Sequence, residues 1–478
     1  MDNLKKCKRS LSLNPLFSAE GTEDSLVFET QPFKHWKVID FISSTSDFEE
    51  LLEEINELEF TRKVNDLFSL EQTMDLASAT SPVIAALCEA LKGCVRSWAS
   101  KAIGCELNTK LDMHCARYSF TDHLLCHDDL LDSRKVAFMI YLVPSDWCEE
   151  DGGSLELFDT FVDKSGTVAP NSDPVKTLSP MRNSFLMFEV SQHSFHRVAE
   201  VLTKTKSRLA FSGWFHSETA TSKQPLFEKR FSHTFIPAVP SNDDILLRKF
   251  VNPVYFSTEV QREIREEFCE TSEIQIANFL KEDIFDAISD SLKTATWKTL
   301  NLPHMTKYFE FDDQLEVIDE LYRLFQSEII FALLTRLTGL ELDEDVTLSD
   351  DDDDDECPVN GDVKKEDPTS KISAKAHIRL SQWSHSCFSL LQHDSMSSVD
   401  RLHCRLSFLD YHEDHGGGDL IFIDNESGKE LVRLVPPKNS LSLVYVEQGV
   451  ASFVKYLNVK SCNHPLSFLD AIYLETSS

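Results

Sequence analysis

No stretch of the chain approaches the roughly 18 consecutive apolar residues of a membrane-crossing helix. The opening residues, Met1-Asp2-Asn3-Leu4-Lys5-Lys6, lack the apolar core of a signal peptide. The 12 cysteines contain no Cys-x-x-Cys pair and no regular spacing. That excludes a cysteine zinc motif and a disulfide framework, and leaves free thiols packed as small apolar residues in a reducing compartment. Basic residues are scarce, 47 against 80 acids, for a net charge of -33. Eleven acids without a base fall between Glu341 and Glu356, so -22 belongs to the rest of the chain. Such a surface repels nucleic-acid phosphate and suits basic protein partners such as ribosomal proteins, histones or basic tails. The expectation is a protein of cytoplasm and nucleus with no membrane and no direct nucleic acid. The cluster Lys5, Lys6, Lys8, Arg9 reads either as a solvated tail or as a nuclear address.

What is present begins with helical signals. Ser44-Thr45-Ser46-Asp47 precedes the amphipathic run Phe48–Ile55, and Ser81-Pro82 opens a second helix towards Ala102. From about 112 the pattern turns to strands: Val136–Val143, Ser154–Phe158 after Gly152-Gly153, Asn183–Val190 and Ser207–Phe215. Residues 240–340 return to helical periodicity, over Asp243–Phe250, Thr258–Cys269 and Leu315–Thr338. An acidic linker or disordered loop follows, and strands resume to the end.

The two strand-rich regions read as copies of one unit. Leu124–Asp129 matches Leu390–Ser395, Gly152–Asp159 matches Gly417–Asp424, and Asn183-Ser184-Phe185 matches Asn439-Ser440-Leu441. The duplication supplies an internal control. In the second copy Asp129 becomes Ser395, His196 falls opposite Ser452, and nothing matches Arg208. Fold residues are kept there and the chemistry is absent.

That chemistry centres on Cys126-His127-Asp128-Asp129, followed 69 residues after His127 by His196 and 12 later by Arg208. On a strand, His127 and Asp129 share one face while Asp128 points away. A second histidine completes a two-His-one-carboxylate set that leaves positions open on Fe(II). An arginine can hold the far carboxylate of a dicarboxylate in bidentate fashion. Together these are what a 2-oxoglutarate-dependent oxygenase requires. His193 lies three residues before His196 and faces Gly449 in the second copy, so that control does not exclude it; the spacing to Arg208 favours His196. His123 and His216 read as structural or surface residues, and His412-Glu413-Asp414 as a polar loop. Arg208 shares a strand face with Ala210, Ser212 and Trp214, and either face could point inward.

The segments CHDD, FMIYLVP, DGGSLELFD, FEVSQHSFHRVAEV and KSRLAFSGWFH resemble the prolyl 3-hydroxylases that modify a small-subunit ribosomal protein (the Ofd/Tpa group), over nearly the whole chain. The resemblance implies an α+β fold with tandem double-stranded β-helix (jelly-roll, cupin-like) domains and flanking helices, only the first domain catalytic. It implies an irregular tail at 1–30, the oxygenase domain at 31–232, a helical connector at 233–340, an acidic loop at 341–370 and the inert domain at 371–478. His127, Asp129 and His196 then occupy the iron positions, while Arg208 and Tyr141 hold 2-oxoglutarate; read without the resemblance, Tyr141 is a core aromatic. Cofactors would be Fe(II) and 2-oxoglutarate, with ascorbate as reductant. The implied activity is 3-hydroxylation of a prolyl residue in a small-subunit ribosomal protein, with a role in translation and stress response. Alternatives are the same chemistry on another protein, or a non-enzymatic scaffold in translation or RNA-protein granules. A carboxylate at 129, where a glycine would open a coordination site, argues for hydroxylation over halogenation.

Overall fold

The computed structural model describes residues 9–18, 25–162, 164, 166–218, 234–240, 244–342, 375–391, 399–408, 416–435, 437–462 and 464–474. The chain divides into two compact units, Met1–Glu228 with Leu302–His304, and Lys229–Asn301 with Met305–Ser478. Most of the expected acidic loop, His412-Glu413-Asp414 and Gln392–Ser395 lie outside the described residues.

In the first unit a single antiparallel path curls through its strands. Its order is Leu26–Glu29, His35–Val38, Ser184–Glu189, Arg134–Tyr141, Arg208–His216, Leu111–Tyr118, Phe68–Gln72, His123–His127, His196–Val198, Leu155–Leu157 and Lys176–Leu178. The strand expected at Val136–Val143 is Arg134–Tyr141. Its apolar residues run on without alternation because both its faces are covered. Val136, Phe138 and Ile140 join Met113, Cys115, Phe185, Phe211 and Phe215 in the cluster that receives the helices. Ala137, Met139 and Tyr141 lie on the opposite face with Leu155, Leu157, Phe188 and Ala210. That second face is the interior that houses the site.

The helices follow their sequence signals. Thr45–Asn56 is capped by Ser44, whose hydroxyl accepts the Asp47 N–H at 3.2 Å, and it buries Phe48, Leu51 and Ile55. Pro82–Ala90 starts on its proline, passes through a wider turn at Leu91–Val95 and continues as Arg96–Ile103. The tail is less irregular than expected. Leu16 and Phe17 are buried, with Phe17 edge-on to Phe41, Trp98 and Phe185, and Leu26–Glu29 pairs with His35–Val38. Such short pieces are set by tertiary contact and carry too few residues to show a period.

The second unit has the strand order Glu273–Ile276, Leu441–Val446, Arg401–Ser407, Leu466–Leu474, Lys375–Trp383, Thr306–Phe311, Phe388–Ser389, Val450–Val454, Leu420–Asp424 and Glu430–Leu434. This is the path of the first unit from His35–Val38 onward. The expectation of helix throughout 240–340 needs correction. Ile245–Phe250, Thr258–Thr271 and Glu282–Leu292 are helical, and the Leu315–Thr338 pattern is two helices broken at Ser327. Glu273–Ile276, Trp297–Leu302 and Thr306–Phe311 are strands, because each finds a partner strand that local propensity does not reveal.

Local details repeat between the units. Asn183 and Asn439 both have left-handed backbones, at φ 56° and 51°. The Asn183 side chain accepts the Ile42 N–H and donates to the Ile42 carbonyl. Asn439 does the same with Leu280. His196 pairs across the ladder with Leu157, and Ser452 pairs with Phe422.

Candidate metal centre

His127 closes the His123–His127 strand, and His196 opens His196–Val198 directly opposite it. Asp129 is reached differently from the expectation. It lies past the strand end, in a left-handed conformation at φ 61°, so same-face alternation is not what aligns it with His127. Aspartate tolerates this region better than most residues because its short polar side chain bonds locally. The turn swings the carboxylate back: Asp129 Oδ1 lies 3.5 Å from His127 Nε2, and Oδ2 lies 3.5 Å from His196 Nε2. One ligand atom from each of the three residues falls within 4.8 Å of the others, the only such group of three or more among the described residues.

The histidines are prepared for coordination. His127 Nδ1 lies 2.8 Å from the Leu125 carbonyl, and His196 Nδ1 lies 2.8 Å from the Ser194 carbonyl. A carbonyl can only accept, so each Nδ1 carries the hydrogen and each Nε2 presents its lone pair to the shared centre. Burial opposes charge on Asp129, but contact with His127, and with His196 beyond it, holds the carboxyl well below the ordinary range. Burial likewise opposes protonation of His127, but its Asp129 contact outweighs this and raises it. Burial and the charge of His127 push His196 down to about 4. Two imidazoles and one carboxylate fit Fe(II) with positions left open.

Arg208 is 1% exposed. Its Nε donates to the Gly153 carbonyl at 2.7 Å, while Nη2 is buried without a partner. The guanidinium sits about equally over the Tyr118 and Tyr141 rings, at 5.0 and 5.1 Å. Burial raises the Tyr141 hydroxyl, offset in part by Arg208. An orphaned guanidinium donor in an apolar interior is costly unless an anion completes it. A carboxylate satisfies both its charge and its fork. Ala210 pairs with Tyr141, which settles that the Arg208 face points inward. Phe188 shares that interior with Tyr141 and touches His196 edge-on at 4.7 Å, so the anchor and the metal cluster adjoin one apolar cluster.

The other histidines stand apart. His193 is exposed in the loop before the strand, 2.7 Å from the Thr160 hydroxyl. His216 is buried between Asp112 and Ser133, and His123 lies 3.1 Å from the Thr121 carbonyl. Sequence reasoning missed Gly153 as a positioning residue. A Cβ there would meet Arg208 Cδ at 2.8 Å, so glycine makes room for the arginine. The paired glycines 152 and 153 were the available signal. It also missed Arg134, which stacks 3.6 Å over Trp214 and lies 3.9 Å from Asp129; nothing local marks it.

Residues 113–216, which contain every one of these site residues, match the family model described as "2OG-Fe(II) oxygenase superfamily". Residues 242–471 match "Oxoglutarate and iron-dependent oxygenase degradation C-term". The chain is 36% identical to prolyl 3-hydroxylase OGFOD1 of Xenopus laevis, across 92% of this chain and 86% of that one. It is 32% identical to prolyl 3-hydroxylase OGFOD1 of Mus musculus, across 94% and 88%. To prolyl 3-hydroxylase sudestada1 of Drosophila melanogaster it is 27% identical, across 86% and 76%.

Proposed function

Since the chain belongs to the prolyl 3-hydroxylases of the 2OG-Fe(II) oxygenase superfamily, we propose that it hydroxylates a proline at ring carbon 3 in a small-subunit ribosomal protein, acting in cytoplasm and nucleus on translation and the stress response. The observation that carries the chemistry is the convergence of His127, Asp129 and His196 beside a buried, uncompleted Arg208. The three hold Fe(II); Arg208 and Tyr141 hold the far carboxylate of 2-oxoglutarate; ascorbate serves as reductant. When bound, iron and 2-oxoglutarate supply an oxidative decarboxylation in which dioxygen puts one oxygen atom into succinate and the other into the prolyl C–H bond, with release of carbon dioxide. The chain's part is geometric and electrostatic. The Leu125 and Ser194 carbonyls orient the imidazoles, Asp129 offsets cationic charge, and the apolar interior around Phe188 and Leu157 excludes water. The net charge of -33 supports a basic substrate. The shared strand order and the matched Asn183 and Asn439 turns support reading the second unit as a second β-helix without the oxygenase chemistry, since Ser452 stands where His196 would be.

The test is turnover of 2-oxoglutarate with purified small ribosomal subunits, Fe(II) and ascorbate, read by peptide mass. One proline gains one oxygen atom with the intact protein and none with His127→Ala. Iron-dependent 2-oxoglutarate turnover with no oxidised ribosomal proline would refute the substrate assignment. Failure of the intact protein to bind Fe(II) would refute the site.

A further inference from the structure

The register of the second unit places charge in its interior. Asp470, on Leu466–Leu474, pairs with Arg405 on one side and Arg379 on the other. The corresponding first-unit positions are Ser212, Met139 and His114. Arg405 is 1% exposed and donates to both Asp470 oxygens, from Nε at 2.7 Å and Nη2 at 3.1 Å. His403 Nε2 lies 3.1 Å from the same carboxylate, and Arg379 lies 3.6 Å from it. Asp470 is therefore fully engaged, yet Arg405 Nη1 and Arg379 Nε are buried without partners. These groups surround a cavity of about 50 Å³, lined also by Arg401, Tyr308 and Trp383. Among the described residues Asp470 is the only carboxylate in its lining.

Arg405 and Arg379 share the single carboxylate of Asp470 in a space walled by aromatic rings, and each keeps one buried donor unmet. Tyr308 stacks on Trp383 at 5.0 Å, and the Arg379 guanidinium lies 4.8 Å over Tyr308. Buried donors without an acceptor are costly, so Arg405 Nη1 and Arg379 Nε call for one. At roughly 10–15 Å³ of such volume per water, the cavity accepts about four waters or one small oxyanion. We propose that the interior of the second unit is a binding site for a small oxyanion, a phosphate or carboxylate group received by Arg405 Nη1 and Arg379 Nε. The site is separate from the iron cluster and uses none of its residues. Its arginines lie on different strands from the Arg208 position, which Leu466 occupies in this unit.

The probes are inorganic phosphate and malonate, added separately to the full-length protein at constant ionic strength. The expected result is a saturable rise in melting temperature of about 2–4 °C with one or both, against none with matched chloride. The effect disappears in Arg379→Gln and Arg405→Gln. Phosphate alone active points to a phosphate source, malonate alone to a carboxylate source. Arg379→Gln carries the test if Arg405→Gln fails to fold, because Arg379 is the more exposed of the two. No saturable rise with either anion would overturn the proposal. So would an unchanged rise in Arg379→Gln, which would place the anion elsewhere.

Discussion

Two residues decide whether the first-unit arginine can work, and only one of them is charged. Arg208 commits Nε to the Gly153 carbonyl and leaves Nη2 buried without a partner, which under the proposed function is completed by the 2-oxoglutarate carboxylate. Lysine offers a point charge on a flexible stem and cannot do both. Arg208→Lys should raise the KM for 2-oxoglutarate about 10–100-fold with a smaller change in kcat, measured by succinate release across a 2-oxoglutarate series. Gly153 has a second role through its left-handed backbone at φ 68°, which an L side chain enters only at a cost of about 1–2 kcal/mol. Gly153→Ala adds contact with the Arg208 stem. It should lower stability by that amount and raise the same KM about 10-fold; an unchanged KM would show that the guanidinium moves aside without loss.

At the scale of elements, legibility followed length and burial. Arg134–Tyr141 was readable because Val136–Tyr141 carries an unbroken apolar signal, and Thr45–Asn56 because a cap precedes its period. Trp297–Leu302 and Thr306–Phe311 were not, since a polar hairpin strand is defined by its neighbour. The candidate site divides in the same way. His127, His196 and Arg208 were legible as residue types at serviceable spacing, but the route of Asp129 was misread, because a single left-handed residue leaves no periodic trace. Matching the two strand-rich regions residue by residue exposes Ser395 and Ser452 opposite Asp129 and His196. It does not expose Arg379 and Arg405, whose convergence on Asp470 becomes visible only through the register. The capped helix offers a direct check. Ser44→Ala should cost about 1 kcal/mol in urea unfolding, the worth of one side-chain cap. Phe138→Ala, beneath the sheet on the helix-facing side, should cost about 3–5 kcal/mol through the cavity it leaves.

Across the whole molecule, burial of neutral imidazoles links stability to pH. His114 and His304 are both pushed down to about 4 by burial, from an ordinary 6.5. Between those values the unfolded chain holds protons that the folded chain does not. Stability therefore falls as pH drops from about 6.5 towards 4, and the loss is complete below 4. Each residue contributes up to about 3 kcal/mol, less wherever water reaches the ring. Asp470 and Asp129, held below their ordinary range, extend the decline to lower pH, because the unfolded chain protonates those carboxyls first. Urea midpoints of the metal-free protein at pH 7, 5.5 and 4.5 should fall in that order. Fe(II) at the near-neutral end should raise the midpoint, since His127, Asp129 and His196 converge only in the folded chain. A midpoint that stays level from pH 7 to 4.5 would mean that these imidazoles are solvated in the folded protein.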